Sequence, residues 1–321
     1  MNHSARLGHA ASACLWLAVA AVSGCVGGSD ITTGPTPPPM IDAPPPGPEV
    51  VPQDAATLVA ISYYAKVQDY YLSTDRLRTD KGGPDAPYTA ADLARNFMAV
   101  AFYQEFADSN GQLVAQAREV RLQRWTRPVR IAVEFGASVP LDQRHRDLAE
   151  IAGLSARLSQ LTGLPVRLVR ETPNFQIIIA NPGERQALAP RILGFMKTTP
   201  ASAVQSVTGM QADVYCTVFS TTPGKSSFYD RALVIIRGEL PDLMRRACLH
   251  EEIAQGFGLI NDSPRARPSV FNDNEEFALL TRQDELMLKI LYDPRLKPGM
   301  TLVEARPIVE TIAAGLLPGS S

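Results

Sequence analysis

The chain has 321 residues, with 31 basic and 33 acidic side chains and a formal net charge of −2. Its basic residues are scattered along the chain, which argues against a nucleic-acid-binding protein, and no internal repeat is visible. The length allows one globular domain with additional segments at its ends.

The first 24 residues are typical of a bacterial signal peptide. Arg6 precedes an apolar run over 10–22, which is too short for a comfortable membrane-spanning helix and ends in small residues. The tetrapeptide V-S-G-C ending at Cys25 has the pattern of a lipobox, which predicts cleavage before Cys25 and its acylation. The alternative is a plain secretory signal followed by an incidental cysteine. The lipobox predicts a periplasm-facing envelope lipoprotein held at the membrane through Cys25, and Val26 in place of an aspartate favours the outer membrane.

Residues 25–53 form the predicted lipid anchor and a linker dense in proline. Such a segment cannot build a hydrophobic core and favours polyproline II, at about 3.1 Å per residue a spacer of about 80 Å. We expect it to hold the globular part away from the membrane.

Three further segments follow, a helical part over 54–125, an α/β domain over 126–300 and a C-terminal helix and tail over 301–321. Hydrophobic periodicity predicts helices at 55–72, 90–106, 141–161, 185–196 and 241–257, and strands at 129–135, 166–169, 175–179, 214–219 and 232–236. The sequence therefore predicts an α/β (α+β) fold in which N-terminal helices precede a mixed sheet, and a long helix follows that sheet.

The end of this long helix has the most informative spacing in the chain. Read from Glu251, the residues keep the frame of the metzincin zinc-protease helix, H-E-x-x-H-x-x-G-x-x-H, with every histidine replaced. Glu251, Gln255 and Asn261 take the three ligand positions, whereas Glu252 and Gly258 match the pattern outright. The segment thus resembles a metzincin active-site helix that lacks its metal ligands.

The spacing has a mechanical reason. Side chains at i and i+4 share a helix face, and the glutamate after the first ligand position can act as a general base. A glycine three residues past the second position lets the helix stop with φ > 0. Here the ligand positions offer only oxygen atoms or weakly donating amides, from Glu251, Gln255, Asn261 and Asp262. We therefore expect no zinc and no other cofactor. A hard cation such as calcium would suit a set of oxygen ligands.

Several alternatives stay open for these positions. A register that begins at His250 supplies one ligand but no second, because residue 254 is alanine. Glu252 is a candidate general base, or else a surface glutamate or one paired with an arginine, and Arg245 lies two turns earlier on its face of the helix. Asn261 and Asp262 are candidate binding residues, or else an ordinary turn.

The residues after the motif continue the same order of elements. A turn at 269–271 places Phe271 where metzincins carry a methionine, and Thr281 can cap a helix whose N3 residue is Asp284. This order resembles the C-terminal half of the metzincins and implies a zincin-like (metzincin-like) fold. A closer resemblance is to a family of bacterial envelope proteins of unknown function that carry E-E-x-x-Q-x-x-G-L-x-N-D and L-Y-D-P-R-L-K-P-G-M. It covers about residues 75–300 and implies a fold more firmly than an activity.

Two cysteines remain in the predicted folded part, Cys216 and Cys248. In an oxidising periplasm they are expected to form one disulfide that ties a strand to the start of the long helix. The alternative is a pair of buried free thiols.

Three classes of function follow from these observations. The missing ligands favour a catalytically silent domain that binds or scaffolds an envelope protein or peptide. The second class is a hydrolase of peptide or glycan in which Glu251 or Glu252 acts with Gln255 and Asp262, together with a weakly held hard cation such as calcium. The third is a purely structural lipoprotein in which the motif only preserves the fold.

Overall fold

A computed structural model describes residues 51–109, 112–197, 201–272 and 274–319. The signal peptide, Cys25 and most of the linker lie outside these residues. The described helices are α1 Ala55–Ser73, α2 Ala90–Ala101, α3 Leu141–Thr162, α4 Pro182–Gln186, α5 Ala189–Met196, α6 Ala201–Thr208, α7 Asp242–Phe257, α8 Arg282–Leu291 and α9 Leu302–Leu316. The described strands are β1 Tyr103–Ser109, β2 Gln112–Glu119, β3 Val129–Phe135, β4 Val166–Leu168, β5 Phe175–Ala180, β6 Cys216–Thr221 and β7 Arg231–Arg237.

Five strands form a mixed sheet in the order β4-β3-β5-β7-β6. Strands β4, β3, β5 and β7 run parallel, with Ile177 of β5 opposite Val234 of β7, and β6 pairs antiparallel with β7 at one edge. The prediction of an α/β fold with a mixed sheet preceded by helices is confirmed.

Both faces of this sheet are apolar, and each packs under helices. Val129, Ile131 and Ile177 belong to the main core, which also contains side chains of α3, α7 and α8. Ile178 and Leu233 point to the opposite face and pack in a smaller cluster with α5 and α6. The alternation of side chains along each strand explains why two separate clusters form. Helix α7 is therefore backed by a layer of strands.

The chain before the sheet differs from the prediction. The second helix begins at Ala90, with the predicted Thr89–Asp92 capping box, but it ends at Ala101 instead of residue 106. Strands β1 and β2 follow as an antiparallel hairpin that the sequence analysis did not predict. The backbone N–H of Val120 donates to the carbonyl of Phe102 at 2.8 Å, so the return strand binds where a longer helix would continue.

The predicted single helix over residues 185–196 is wrong. The chain forms two short helices there, α4 and α5, separated at Ala187 and Leu188. Pro190 lies in the first turn of α5, where its missing N–H leaves no helical hydrogen bond unmade. A proline at that position starts a helix more readily than it continues one, which explains the break.

Among the helices of the described ranges, none combines the length and the apolar character needed to cross a bilayer.

Candidate functional site

Helix α7 carries the motif and is fixed against the edge of the sheet. Cys248 in its middle forms a disulfide with Cys216 at the start of β6, and the two Cα atoms are 5.8 Å apart. The predicted disulfide is confirmed. Gly256 lies over the sheet, where an added Cβ would stand 2.8 Å from the ring of Phe175. The disulfide to β6 and this close approach to β5 set the position of the motif relative to the sheet.

The C-terminal end of α7 is closed by two aromatic side chains. The indole N–H of Trp125 donates to the carbonyl of Gly256 at 2.9 Å, and the hydroxyl of Tyr292 donates to the carbonyl of Phe257 at 2.9 Å. Gly258 ends the helix with a φ of +123°, as the motif predicted. The last carbonyls of a helix have no partner within it, so these donors hold its end in place.

Glu251 and Gln255 share one face of α7 at i and i+4. The side-chain amide of Gln255 donates to Oδ1 of Asp262 at 3.3 Å, across the turn that follows the helix. Glu251 lines a cavity of about 30 Å³ together with Glu275, and the remaining lining residues are Ala247, Val270, Phe277 and Ala278. A cavity of this size holds about one water molecule, so it is not a substrate cleft.

His250 is held by both of its ring nitrogens. Its Nδ1 accepts from the backbone N–H of Leu280 at 3.1 Å, and its Nε2 lies 2.8 Å from Oε1 of Glu150 on α3. Because a backbone N–H can only donate, Nδ1 must accept and Nε2 must donate. The hydrogen bond from His250 holds the pKa of Glu150 down at about 2. His250 thus ties α7 to α3 and to the segment before α8, with no lone pair left for a metal.

We predict that His250→Ala destabilises the fold. The substitution leaves Glu150 and the Leu280 N–H without this ring, and we expect the free energy of unfolding to fall by about 2 kcal/mol. Urea denaturation measures this change. His145, which is exposed on α3, provides the control, since His145→Ala is expected to change stability by less than about 0.5 kcal/mol. Equal stability of the wild type and His250→Ala would contradict the structural role.

Asn261 is a structural residue in this arrangement. Its side-chain amide donates to the carbonyl of Ala99 at 3.0 Å and to that of Asp262 at 2.8 Å, and its backbone N–H donates to Val100 at 3.1 Å. Only 9% of the residue is exposed. The third ligand position is therefore used to hold the turn after α7 against α2, which favours the turn interpretation over the ligand one.

Glu252 is buried, with 6% of the residue exposed, so it is not a surface glutamate. The expectation that Arg245 pairs with it is wrong. The Arg245 guanidinium instead binds both carboxylate oxygens of Asp147 on α3, at 2.7 and 2.8 Å, and one oxygen of Asp242 at 2.9 Å. Arg245 lies two turns before Glu252, and its side chain points toward α3.

The turn at 269–271 is organised by Asp284, whose role beyond capping the sequence did not indicate. Phe271, at the position where metzincins carry a methionine, is fully buried and belongs to the main core. Oδ1 of Asp284 accepts from the hydroxyl of Ser269 at 2.5 Å, and Oδ2 accepts from the backbone of Val270 at 3.2 Å and of Thr281 at 2.8 Å. Burial raises the pKa of Asp284 to about 6, although these donors oppose the shift.

The raised pKa of Asp284 predicts a dependence of stability on pH. The folded state holds this proton more tightly than the unfolded state, where the pKa is 3.8, so the stabilisation is complete below about pH 4. It is lost as the pH rises through about 6. We expect the free energy of unfolding of the wild type, relative to that of Asp284→Asn, to fall between these values. Urea denaturation at a series of pH values measures the difference, and parallel curves for the two proteins would contradict the prediction.

Ion pairs close the loop over residues 78–85. The Arg78 guanidinium binds Asp80 at 2.9 Å, Asp85 at 2.6 Å and Glu276 at 3.2 Å. It also lies over the ring of Phe277, 4.6 Å from its centroid. These ion pairs and the contact with Phe277 hold residues 78–85 as a closed loop, which does not form an open polar groove.

The residues at the motif do not fit a zinc ion. Both ring nitrogens of His250 bind protein groups, the side chain of Gln255 binds Asp262, and that of Asn261 binds the carbonyl of Ala99 on α2. Over the described ranges, no group of three or more His, Cys, Asp or Glu side chains is placed to hold a metal ion. Zinc prefers imidazole and thiolate ligands, and the motif presents carboxylates and amides.

Comparisons with known proteins place the chain in a family. A search of curated proteins found no match, and a search of solved structures found none. The sequence model of a family described as "Protein of unknown function (DUF2927)" matches residues 90–311, which is more than half of the chain and spans everything from α2 to most of α9. The chain belongs to this family of proteins of unknown function.

Proposed function

We propose that the protein is an envelope lipoprotein whose zincin-like domain has lost its zinc ligands and serves to bind or scaffold an envelope protein or peptide. The single observation that carries the proposal is the bonding at the motif. The groups at and beside the ligand positions are engaged by the protein itself, His250 by Glu150 and the Leu280 N–H, Gln255 by Asp262 and Asn261 by Ala99. These contacts stabilise the fold at the place where an enzyme would hold its metal.

The order of elements supports the zincin-like part of the proposal. A mixed sheet is followed by α7, then by the turn around Phe271, and then by α8. The metzincin resemblance implies the same order. The matching family is described without an activity, so the relationship to zinc proteases is our own hypothesis about the origin of this domain.

The lipoprotein part of the proposal rests on the sequence before the described residues. The lipobox ending at Cys25, the proline-rich linker and the outer-membrane preference from Val26 all belong to it. The disulfide between Cys216 and Cys248 supports it indirectly, because disulfides persist in oxidising compartments such as the periplasm.

A hydrolase is the alternative. One observation favours it, namely that Glu251 and Glu275 line the same small polar cavity beside α7, where a hard cation such as calcium would meet oxygen ligands. The burial of Glu252 and the size of that cavity weigh against a substrate reaching either glutamate.

Chemical crosslinking in intact cells tests the proposal. We expect the wild type and Glu252→Gln to give the same specific protein or peptide adducts, since a binding domain does not need a general base. Thermal unfolding of both proteins serves as the control for folding. Absence of any specific adduct from the wild type would indicate a purely structural lipoprotein. A cleaved envelope product that disappears in a folded Glu252→Gln variant would indicate the hydrolase.

A further inference from the structure

Helix α1 exposes an unusual amount of apolar surface. Six of the twelve large hydrophobic side chains exposed in the described part of the chain lie within residues 51–72. They are Val51, Leu58, Val59, Tyr63, Tyr70 and Leu72, and their exposed fractions run from 46% to 71%. Such a concentration on one short segment marks an interaction surface more often than scattered exposed residues do.

The exposure of these side chains does not result from a loosely attached helix. The opposite face of α1 binds the domain, where the hydroxyl of Tyr64 donates to the carbonyl of Ala212 at 3.0 Å. The hydroxyls of Tyr71 and Tyr215 lie 3.0 Å apart within hydrogen-bond distance. Tyr64 is buried, with 2% of the residue exposed. The domain thus fixes which face of α1 points outward.

The outward face forms a continuous stripe. Val59, Tyr63, Lys66 and Tyr70 follow one another at steps of four, three and four residues, which places them in line along a helix. All four are exposed. We call this set the α1 stripe. Tyrosine has an apolar ring with a polar tip, and lysine can reach water from an apolar surface with its long stem, so the stripe suits a boundary between apolar and aqueous phases.

The place of α1 in the chain indicates what covers the stripe. Helix α1 precedes the family match, which begins at residue 90, and it follows the linker from Cys25 directly. It is the first described element after the predicted lipid anchor. The linker of about 80 Å is fixed to the bilayer at one end only, so it can lie along the surface as well as stand away from it. Helix α1 then stays within reach of the bilayer, so even weak affinity is sufficient. Contact through α1 would correct the expectation that the linker holds the globular part away from the membrane.

A second copy of the chain fits the stripe less well. A helix of 19 residues is about 28 Å long and about 10 Å wide, so one face offers on the order of 280 Å². Stable interfaces bury about 800 Å² on each partner. The stripe alone is too small for a stable dimer, whereas a tethered helix at a lipid surface needs no such area.

We propose that the α1 stripe lies in the headgroup region of the membrane to which the chain is anchored. This rests on the proposed lipid anchoring. Lys66 and Asp69 are both exposed on the outward side, so their charges offset each other. Burial of the apolar side chains therefore drives the contact, and salt is expected to leave it unchanged.

Site-specific quenching tests this contact in the full chain. Ser62→Cys places a thiol on the exposed side of α1, and Val303→Cys places one on α9 at a residue that is 80% exposed. Because Cys216 and Cys248 form a disulfide, a fluorophore can label the new thiol of the acylated chain. The chain is reconstituted in vesicles of phosphatidylethanolamine and phosphatidylglycerol, with a fraction of the lipid carrying a quencher in its acyl chain.

We expect several-fold stronger quenching at position 62 than at position 303, unchanged at high salt. Tyr63→Asp with Tyr70→Asp is expected to reduce quenching at position 62 to the level of position 303. Both rings are about half exposed and also contact Tyr64 and Tyr71, so a cooperative melting transition is required to show that the variant remains folded. Equal quenching at the two positions in acylated wild-type chains would overturn the proposal. Position 62 could instead be shielded to a degree that depends on the number of chains per vesicle and not on the amount of lipid. That result would overturn the proposal in favour of a second copy of the chain.

The anchoring is tested separately. Intact mass shows whether Cys25 carries acyl chains, and a form of each labelled chain that begins at residue 26, and so lacks Cys14 and Cys25, is mixed with the same vesicles at high lipid concentration. We expect quenching at position 62 in this form too, since the tether only raises the local concentration. Absence of acyl chains with quenching retained would refute the anchoring alone, whereas acylated chains without quenching would refute the α1 contact alone.

Discussion

Asp147→Ala is expected to lower the free energy of unfolding by about 3 to 5 kcal/mol, because it leaves Arg245 as a buried charge without its main partner. The side chains of Arg245 and Asp147 are 2% and 1% exposed, and the guanidinium binds both carboxylate oxygens. This pair joins α7, which carries the motif, to α3. Denaturant unfolding of the purified protein measures the change.

Two further variants separate the cost of leaving one charge without its partner from the net contribution of the ion pair to the free energy of unfolding. Asp147→Leu combined with Arg245→Met removes both charges, and we expect this double variant to be more stable than Asp147→Ala. Asp142 forms an exposed ion pair with Arg146 on the same helix α3, so Asp142→Ala is expected to cost less than about 1 kcal/mol. Equal losses for Asp142→Ala and Asp147→Ala would show that burial does not determine the cost.

Gly258→Ala is the second substitution with a large expected effect. Gly258 has a φ of +123°, and an added Cβ would stand 2.5 Å from the carbonyl oxygen of Gln123 and 3.0 Å from Leu291. The backbone strain costs about 1 to 3 kcal/mol by itself, and the clash with a backbone atom adds to it. We expect a total loss of about 4 kcal/mol in the free energy of unfolding, measured by denaturant.

Gly163 provides the matched control for this prediction. It ends α3 with a φ of +71°, and no atom lies within 4 Å of an added Cβ. Gly163→Ala therefore isolates the backbone term, with an expected loss of about 1 to 2 kcal/mol. A loss at Gly258 no larger than that at Gly163 would contradict the close packing at the end of α7.

Local features of the sequence predicted much of the fold. Strand β3 has the predicted bounds, residues 129–135, because apolar and polar side chains alternate there and proline precedes it. The capping box of α8 forms between Thr281 and Asp284, as the residue types at that spacing indicate. The positive φ at Gly258 also follows from a residue type at a fixed spacing, namely a glycine three residues after Gln255 in the motif. In each case the structure depends on residues close together in the chain.

The features that the sequence did not predict depend on distant partners. His250 takes its role from Glu150, a hundred residues earlier, and from a backbone N–H thirty residues later. Asp284 takes its role from a turn that precedes it by 14 residues, and its burial raises its pKa. The hairpin of β1 and β2 replaces the end of a predicted helix because a strand returns to pair with it. Periodicity alone carries no information on such contacts.

Zinc binding by the purified full chain tests most directly the proposal that this is a zincin-like domain without its metal. Both ring nitrogens of His250 are engaged, Gln255 binds Asp262 and Asn261 binds Ala99 of α2. We therefore predict no site with a dissociation constant below about 1 µM in calorimetric titration. We also predict the same melting temperature with and without EDTA. One tightly bound zinc ion per chain, whose removal by EDTA lowers the melting temperature, would contradict the account.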